Sequence, residues 1–453
     1  MNHELLLAYY GDDFTGSTDV MEALSKAGLR TVLFLKPPTI SQLARYPGLR
    51  AFGIAGGSRT MSPEEMERAL PPAFKALRSS GAPIIHYKMC STFDSSPNIG
   101  SIGRAIEIGR RVFGDRPTPL MVGAPVIGRY VAFGNLFARS GLDTEPFRLD
   151  RHPTMSRHPV TPMQEADIRL ILAEQTQLPV VLVDVLKLES ASGQWSVVSG
   201  QSRPPIVLFD TLREAHLPVI GREIGRLAAE GQLFVLGSSG VEYALVEHWR
   251  ETGAINTAEE EGRGESRFSP PRSPSSAVQQ LICVSGSCSP VTDRQIARAI
   301  DHGFAEIGAG PELLASMAPI AGVLQRARTL LEQQRSVVIH SSRGPDDARY
   351  DFKLGGEKQS LLCDSLGRIL ETLLGSSGLR RAVVCGGDTS MHVARGLGVE
   401  ALEYVGPIAP GSPLCKIHAP GRIADGCEIV FKGGQVGRDH FFLDVLQGGP
   451  RPT

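Results

Sequence analysis

Leu5-Leu6-Leu7-Ala8-Tyr9-Tyr10-Gly11-Asp12-Asp13-Phe14-Thr15-Gly16-Ser17-Thr18-Asp19 is an apolar run of strand length. It ends in a glycine, two adjacent carboxylates and hydroxyls, ahead of a helix expected over Val20–Ala27. In open α/β sheets, ligands sit where buried strands deliver polar groups at their carboxyl ends. Two carboxylates this close resist joint ionisation, so one of Asp12 and Asp13 suits a base or hydroxyl acceptor. The other then suits Mg²⁺ or a hydrogen-bond partner. The plainer reading is a helix N-cap beside a solvated turn.

Working outward, strand-length apolar runs recur at Thr31–Leu35, Ile84–Lys88, Leu120–Gly123, Val180–Val185, Ile206–Phe209 and Leu233–Leu236, separated by helix-like segments. That alternation predicts α/β structure with a largely parallel, helix-covered sheet. From Glu251 to Ser276 the composition changes to an acidic triplet followed by Ser269-Pro270-Pro271-Arg272-Ser273-Pro274, which reads as a linker. The pattern then restarts with Leu281–Val284, Ser336–His340, Arg381–Cys385 and Glu428–Phe431, with a helix-like stretch over Pro311–Gln334. Two domains are expected, 1–250 and 278–453, each a largely parallel sheet covered by helices, joined by 251–277.

The length of 453 residues agrees, because single cores stop growing near ~250–300 residues. A formal net charge of −1 with no long basic run argues against nucleic acid or an anionic membrane as partner. No stretch approaches the ~20 apolar residues that span a bilayer, and the N-terminus lacks a basic leader, so a soluble protein is expected. Seven scattered cysteines without C-x-x-C spacing suit a reducing cytoplasm.

Two cations accompany the aspartate pair. Ser58-Arg59 closes an apolar turn over Phe52–Gly57, and Lys88 ends its strand ahead of Ser91-Thr92-Phe93-Asp94-Ser95-Ser96. An arginine fork and a lysine point charge converging on one pocket suit a ligand carboxylate, whereas surface ion pairs are the plainer alternative. Thr15 and Asp94, among hydroxyl side chains, suit a polyhydroxylated ligand or a capped turn. His158-Pro159-Val160-Thr161-Pro162-Met163 is a rigid turn with no catalytic role assigned. Gly237-Ser238-Ser239-Gly240 resembles an anion-binding turn or a helix cap.

In the second half, Val284-Ser285-Gly286-Ser287-Cys288-Ser289-Pro290-Val291-Thr292 follows a strand and opens a helix over Asp293–Ile300. Free backbone N–H groups and the helix dipole favour phosphate there, although the loop is not a Walker A motif. Cys385-Gly386-Gly387-Asp388-Thr389-Ser390 repeats the arrangement ahead of Met391–Leu397, and Asp388 suits either Mg²⁺ or helix capping. Gly406-Pro407-Ile408-Ala409-Pro410-Gly411-Ser412-Pro413 reads as a stiff loop. With Lys432-Gly433-Gly434 it offers to close around a nucleotide.

Taken in order, Tyr10–Gly16, Lys88–Ser96, His158–Met163, Ser285–Thr292, Gly386–Ser390, Ala409–Pro413 and Lys432–Gly437 resemble the four-carbon acid sugar kinase family over nearly the whole chain. The resemblance implies an N-terminal acid-sugar-binding domain and a C-terminal nucleotide-binding domain. It also implies ATP-dependent phosphorylation of threonate, erythronate, 3-oxo-tetronate or a related acid in carbohydrate catabolism. Substrate contacts follow for Asp12, Asp13, Arg59 and Lys88, and ATP contacts for Ser287, Gly386, Gly387, Asp388, Thr389 and Gly434. The catalytic expectation falls on Asp12 and Asp13, the substrate expectation also on Thr15 and Asp94, and the ATP expectation also on Ser285, Gly411, Lys432 and Gly433. ATP and Mg²⁺ are the cofactors, with a homodimer left open.

Three departures bear on the substrate. Asp388 replaces the usual glutamate of a G-G-E-T loop, Lys432–Gly437 replaces K-S-G-N-F-G, and Ala124-Pro125-Val126-Ile127-Gly128-Arg129-Tyr130 lacks the asparagine of a P-x-N-G-R-like segment. The last suggests a longer or branched acid such as 3-oxo-isoapionate. The rivals are a sugar-acid and nucleotide-binding regulator, and an NAD(P)-dependent dehydrogenase. For the dehydrogenase, no G-x-G-x-x-G follows the first strand.

Overall fold

The computed structural model describes residues 5–140, 144–158, 160–190, 203–256, 278–310, 317–344, 347 and 356–449. The chain divides into two compact units: Met1–Thr31 with Lys36–Gly264, and Val32–Leu35 with Glu265–Thr453.

The strands, in chain order, are β1 (Leu7–Gly11), β2 (Thr31–Phe34), β3 (Ala51–Ala55), β4 (Ile84–Lys88), β5 (Thr118–Met121), β6 (Arg129–Ala132), β7 (Asn135–Arg139), β8 (Pro146–Arg148) and β9 (Val180–Val183). They continue with β10 (Ile206–Phe209), β11 (Leu233–Gly237), β12 (Ile282–Ser285), β13 (Ala305–Gly308), β14 (Val337–His340), β15 (Arg381–Cys385), β16 (Ala401–Ala409), β17 (Ser412–His418) and β18 (Glu428–Lys432).

In the first unit, β3-β1-β4-β11-β5-β10-β9 form a parallel sheet. The antiparallel strands β6-β7-β8 form a separate small sheet. β1, β3, β4 and β11 are buried at every position, as expected of parallel strands covered on both faces. β3 falls where the sequence suggested only an apolar turn. Gly53 makes room for the Tyr9 ring, since a Cβ there would lie 2.1 Å from it. Tyr10 stacks on Tyr87 at 5.7 Å, and Phe74 meets both edge-on. This cluster fixes β1 against β4 just below the strand ends.

In the second unit, β13-β14-β12-β15-β18 run parallel, and β17, β16 and β2 complete the sheet in antiparallel fashion. The segment read as the stiff loop Gly406–Pro413 is instead the β16–β17 hairpin. Pro407 is exposed and lies within the register shift between Gly406 and Ala409, where a strand tolerates proline, and Gly411 turns at φ 76°. Val338, Val383, Phe441 and Phe442 are among the residues of one buried cluster. Each large side chain there contributes roughly 1.5–3 kcal/mol of transfer free energy.

The helices begin earlier than expected, at Phe14–Lys26, Pro290–Asp301 and Gly387–Gly396. The helix Gly240–Glu251 includes the residue at which the linker was expected to start, and residues 257–277 of that linker lie outside the described ones. Pro159 lies outside them too, as do residues 311–316 ahead of the helix Met317–Glu332.

Candidate active site

Parallel register brings Ala55, Gly11, Lys88 and Gly237 into one row at the carboxyl edge of the first sheet, with Met121 beside Gly237. Every loop that leaves this edge therefore starts from the same side. Asp12 and Asp13 leave from β1. Asp13 caps the helix Phe14–Lys26, accepting from Gly16 N at 2.8 Å and from Thr15 Oγ1 at 2.9 Å. Gly16 is needed there, since a Cβ would lie 2.3 Å from Asp13 Oδ1 and 3.3 Å from Lys88 Nζ.

Arg59 joins the two aspartates. Its Nε and Nη2 donate to Asp12 at 3.2 and 2.7 Å, and its Nη1 and Nη2 donate to Asp13 at 3.0 and 3.0 Å. The turn that carries it is fixed twice, by Arg59 N donating to Asp12 O at 3.0 Å and by Ser58 Oγ bonded to Tyr87 OH at 2.8 Å. Arg59 was expected to offer its fork to a ligand carboxylate, but that fork is filled from within the protein. Lys88 is different. It is buried, and its charge partner is Asp19 Oδ2 at 3.5 Å, beyond hydrogen-bond reach.

The environments of the aspartates push them apart. Burial raises the Asp12 pKa, and Asp13 adds to the shift against the opposing Arg59 charge. Burial acts upward on Asp13 as well, but Arg59, Lys88, Thr15 and Gly16 N together hold it below the ordinary value. Asp12 is only 4% exposed whereas Asp13 is 26% exposed, so the carboxylate held below the ordinary value is also the one a ligand can reach.

Asp94 accepts from Thr92 Oγ1 at 2.8 Å, and Thr92 Oγ1 in turn lies 3.0 Å from Cys90 Sγ. Burial pushes the Cys90 thiol up to about 11, so it stays protonated. His158 Nδ1 accepts from Thr161 N at 3.1 Å, a local turn contact.

Sequence reasoning missed the pair His86 Nδ1 and Glu242 Oε1, 2.5 Å apart and fully buried. Their 156-residue separation gives no local signal. It also missed that Ser239 Oγ and Thr211 Oγ1, in the loops after β11 and β10, are buried without a hydrogen-bond partner.

In the second unit, Ser285, Cys385 and Lys432 stand in one row at the carboxyl ends of β12, β15 and β18. The register Leu414↔Val430, continued by two, puts Ser412 and the Gly411 turn at the same edge. Gly286, Gly386 and Gly434 let the loops touch. A Cβ at Gly286 would lie 2.3 Å from Thr389 Oγ1, one at Gly386 would lie 2.9 Å from the same atom, and one at Gly434 would lie 2.9 Å from Ser287 Oγ. Ser287 Oγ lies 3.1 Å from Thr292 Oγ1, which donates to Gly434 O at 2.9 Å.

Lys432 is the charge in this cradle. Its Nζ donates to Thr292 Oγ1, Gly433 O and Gly434 O at 3.0, 3.0 and 3.2 Å, while burial lowers its pKa. Among the described residues no carboxylate pairs with it. Ser412 Oγ beside it is also buried without a partner. Asp388 is not the helix cap, which is Gly386. It is exposed in the first turn and accepts from Gln359 Nε2 at 3.0 Å.

A sugar-binding N-terminal domain model matches residues 7–245, and a nucleotide-binding C-terminal domain model matches residues 282–442. The chain is 44% identical to 3-oxo-isoapionate kinase of Paraburkholderia graminis over 98% of this chain and 94% of that protein. It is 30% identical to 3-oxo-tetronate kinase of Pseudomonas fluorescens over 99% of each. Among solved structures, a Salmonella typhimurium LT2 protein has a TM-score of 0.76 at 25% identity, covering 97% of this chain and 98% of that one. Haemophilus influenzae protein HI1011 has 0.70 at 22%, covering 96% and 98%, a likeness of fold. No helix among the described residues is long and apolar enough to cross a membrane.

Proposed function

The chain belongs to the four-carbon acid sugar kinase family, and we propose that it transfers the terminal phosphoryl group of ATP to a hydroxyl of a branched acid sugar of the 3-oxo-isoapionate kind. The observation that carries the phosphoryl-transfer reading is Lys432, a buried cation that no carboxylate among the described residues pairs with, set among glycine loops at the starts of two helices. The substrate choice leans on the 44% identity to the 3-oxo-isoapionate kinase, against 30% to a 3-oxo-tetronate kinase.

In this mechanism the phosphates lie on the Ser285–Ser289 and Gly386–Thr389 backbone, on Lys432 and on Gly433-Gly434, with the Gly411 turn beside them. Among the described residues no group of three or more His, Cys, Asp or Glu is suited to a metal. Mg²⁺ would be held by phosphates, water and the Asp388 carboxylate. When bound, Mg²⁺ would neutralise phosphate charge.

Asp13, ionised and accessible, accepts the hydrogen bond of the acceptor hydroxyl and takes its proton, while Asp12 and Arg59 hold that carboxylate in place. Thr15 fixes the second Asp13 oxygen, and Lys88 and Asp94 bind the acid sugar. A cytoplasmic location suits the free cysteines, and whether the chain forms a homodimer is to be read by sedimentation.

The test is ADP release with ATP and Mg²⁺ across 3-oxo-isoapionate, 3-oxo-tetronate, threonate and erythronate. Preference for the branched acid is expected. Preference for threonate would overturn the substrate choice. Binding of both ligands without ADP would overturn the kinase reading in favour of a regulator.

A further inference from the structure

Arg59 donates four hydrogen bonds to Asp12 and Asp13, so the carboxylate of an acid substrate has to find its arginine elsewhere at this edge. Arg129 is placed for that role. It begins β6, directly after the loop that leaves β5 at the same carboxyl edge, and β5 is separated from β4 and Lys88 by β11 alone.

Only one arm of its guanidinium is used. Nη1 donates to the carbonyls of Ile127, Gly128 and Arg139 at 3.2, 3.2 and 3.1 Å. These three acceptors fix the plane of the group, with Gly128 supplying its carbonyl from a left-handed turn at φ 70°. The opposite edge is unfilled, since Nε is buried without a partner and Nη2 makes no hydrogen bond among the described residues. No carboxylate pairs with Arg129 there either. A half-buried guanidinium held rigid on one side and left open on the other is costly unless an anion completes it. The Nε/Nη2 edge is the one that takes a carboxylate through two parallel hydrogen bonds.

We propose that Arg129 is the residue that binds the substrate carboxylate, through its open Nε/Nη2 edge, while the Asp12-Arg59-Asp13 cluster serves the reacting hydroxyl. The proposal deepens the acid-sugar kinase reading and rests on it. Burial lowers the Arg129 pKa, while the neighbouring Cys90 and Asp94 oppose that shift, and Cys90 in turn feels Arg59. Arg129 thus belongs to the same electrostatic neighbourhood as the aspartate clamp. Acid and hydroxyl ends of the substrate would then be read by two different arginines, one open and one already filled.

The experiment measures KM and kcat for the preferred acid and for its neutral carboxamide in wild type, Arg129→Met and Arg129→Lys. Arg129→Met should raise KM for the acid roughly 10- to 100-fold, the range for one charge-assisted contact. It should leave KM for ATP unchanged and raise KM for the carboxamide less than for the acid, and Arg129→Lys should recover part of the acid affinity. An equal rise for acid and carboxamide would overturn the proposal by showing a purely structural role, as would an unchanged KM for the acid. If Arg129→Met does not fold, the Arg129→Lys acid-to-carboxamide ratio decides alone, and a ratio equal to that of wild type overturns the proposal. Calorimetric titration of the acids without ATP separates the two readings. Wild type that binds acid but releases no ADP sinks the kinase function alone, whereas equal binding by wild type and Arg129→Met sinks the carboxylate site.

Discussion

The carboxyl edges of the two parallel sheets are built on opposite electrostatic plans. At the first, Arg59 fills its donors with Asp12 and Asp13 through four hydrogen bonds before any ligand arrives. At the second, Lys432 is buried against a hydroxyl and carbonyls, with no carboxylate against it among the described residues. A self-satisfied cluster positions a group for chemistry, whereas an unsatisfied charge waits for a ligand that carries the missing sign. On the proposed kinase reading, similar topology would serve the phosphoryl acceptor at one edge and the phosphates at the other.

The largest effect should come from breaking the first plan at its accessible carboxylate. Asp13→Asn keeps an effective N-cap yet removes the base, so kcat for ADP release should fall ~10²–10⁴-fold with the melting temperature nearly unchanged. Unchanged turnover would make that edge as passive as an ordinary cap. Arg59→Met should instead strike stability, since it strands the buried Asp12, and loss of one partner from a buried pair costs about 3–5 kcal/mol. Denaturant unfolding reads it. The stranded carboxyl then has a folded pKa above its unfolded one, so the deficit should be full at neutral pH and shrink as pH falls through the folded value.

Lys432→Met sharpens the contrast. KM for ATP should rise roughly 10- to 100-fold, the range for one charged contact, while unfolding stability stays level or improves. The folded pKa of Lys432 lies below the ordinary 10.5, so its charge burdens the fold most at low and neutral pH. The stability gap between variant and wild type should close as pH rises from the folded value towards 10.5. A variant less stable than wild type at pH 7 would mean the two edges follow one plan. The smallest effect is Gly434→Ala, whose new Cβ presses on Ser287 Oγ at 2.9 Å. Rotation of that hydroxyl limits the cost to about 1 kcal/mol of ATP binding, roughly a fivefold rise in KM.

How much of this was legible in the sequence depends on how local each signal was. β4, β10 and β15 have the expected bounds, because short runs dominated by apolar residues mark fully buried parallel strands. β3 was hidden by Gly53, which weakens a strand signal and is there for the Tyr9 ring. The β16–β17 hairpin was hidden by Pro407, which lies within the register shift between Gly406 and Ala409. At the site, Asp12 and Asp13 stood out as adjacent carboxylates at a strand end, but nothing local says that Arg59, 46 residues beyond Asp13, would fill its fork with them. Nor does sequence reveal that Arg129 keeps one edge open, since that depends on three backbone carbonyls arranged by a turn.

Strand β2 sets a timetable for biosynthesis. Phe34 pairs with Ala401 and Val32 with Glu403, so this segment is completed by one that leaves the ribosome much later. The separation from Phe34 to Ala401, 401 − 34 = 367 positions, corresponds to roughly 20–70 s at synthesis rates of ~5–20 residues per second. During that interval four apolar residues, Thr31 to Phe34 apart from the threonine hydroxyl, have no native partner strand in the second unit. Nascent chains stalled within this window should be the ones that chaperones hold longest, and a C-terminal half made alone would present β16 as a bare edge to any chain able to add a strand.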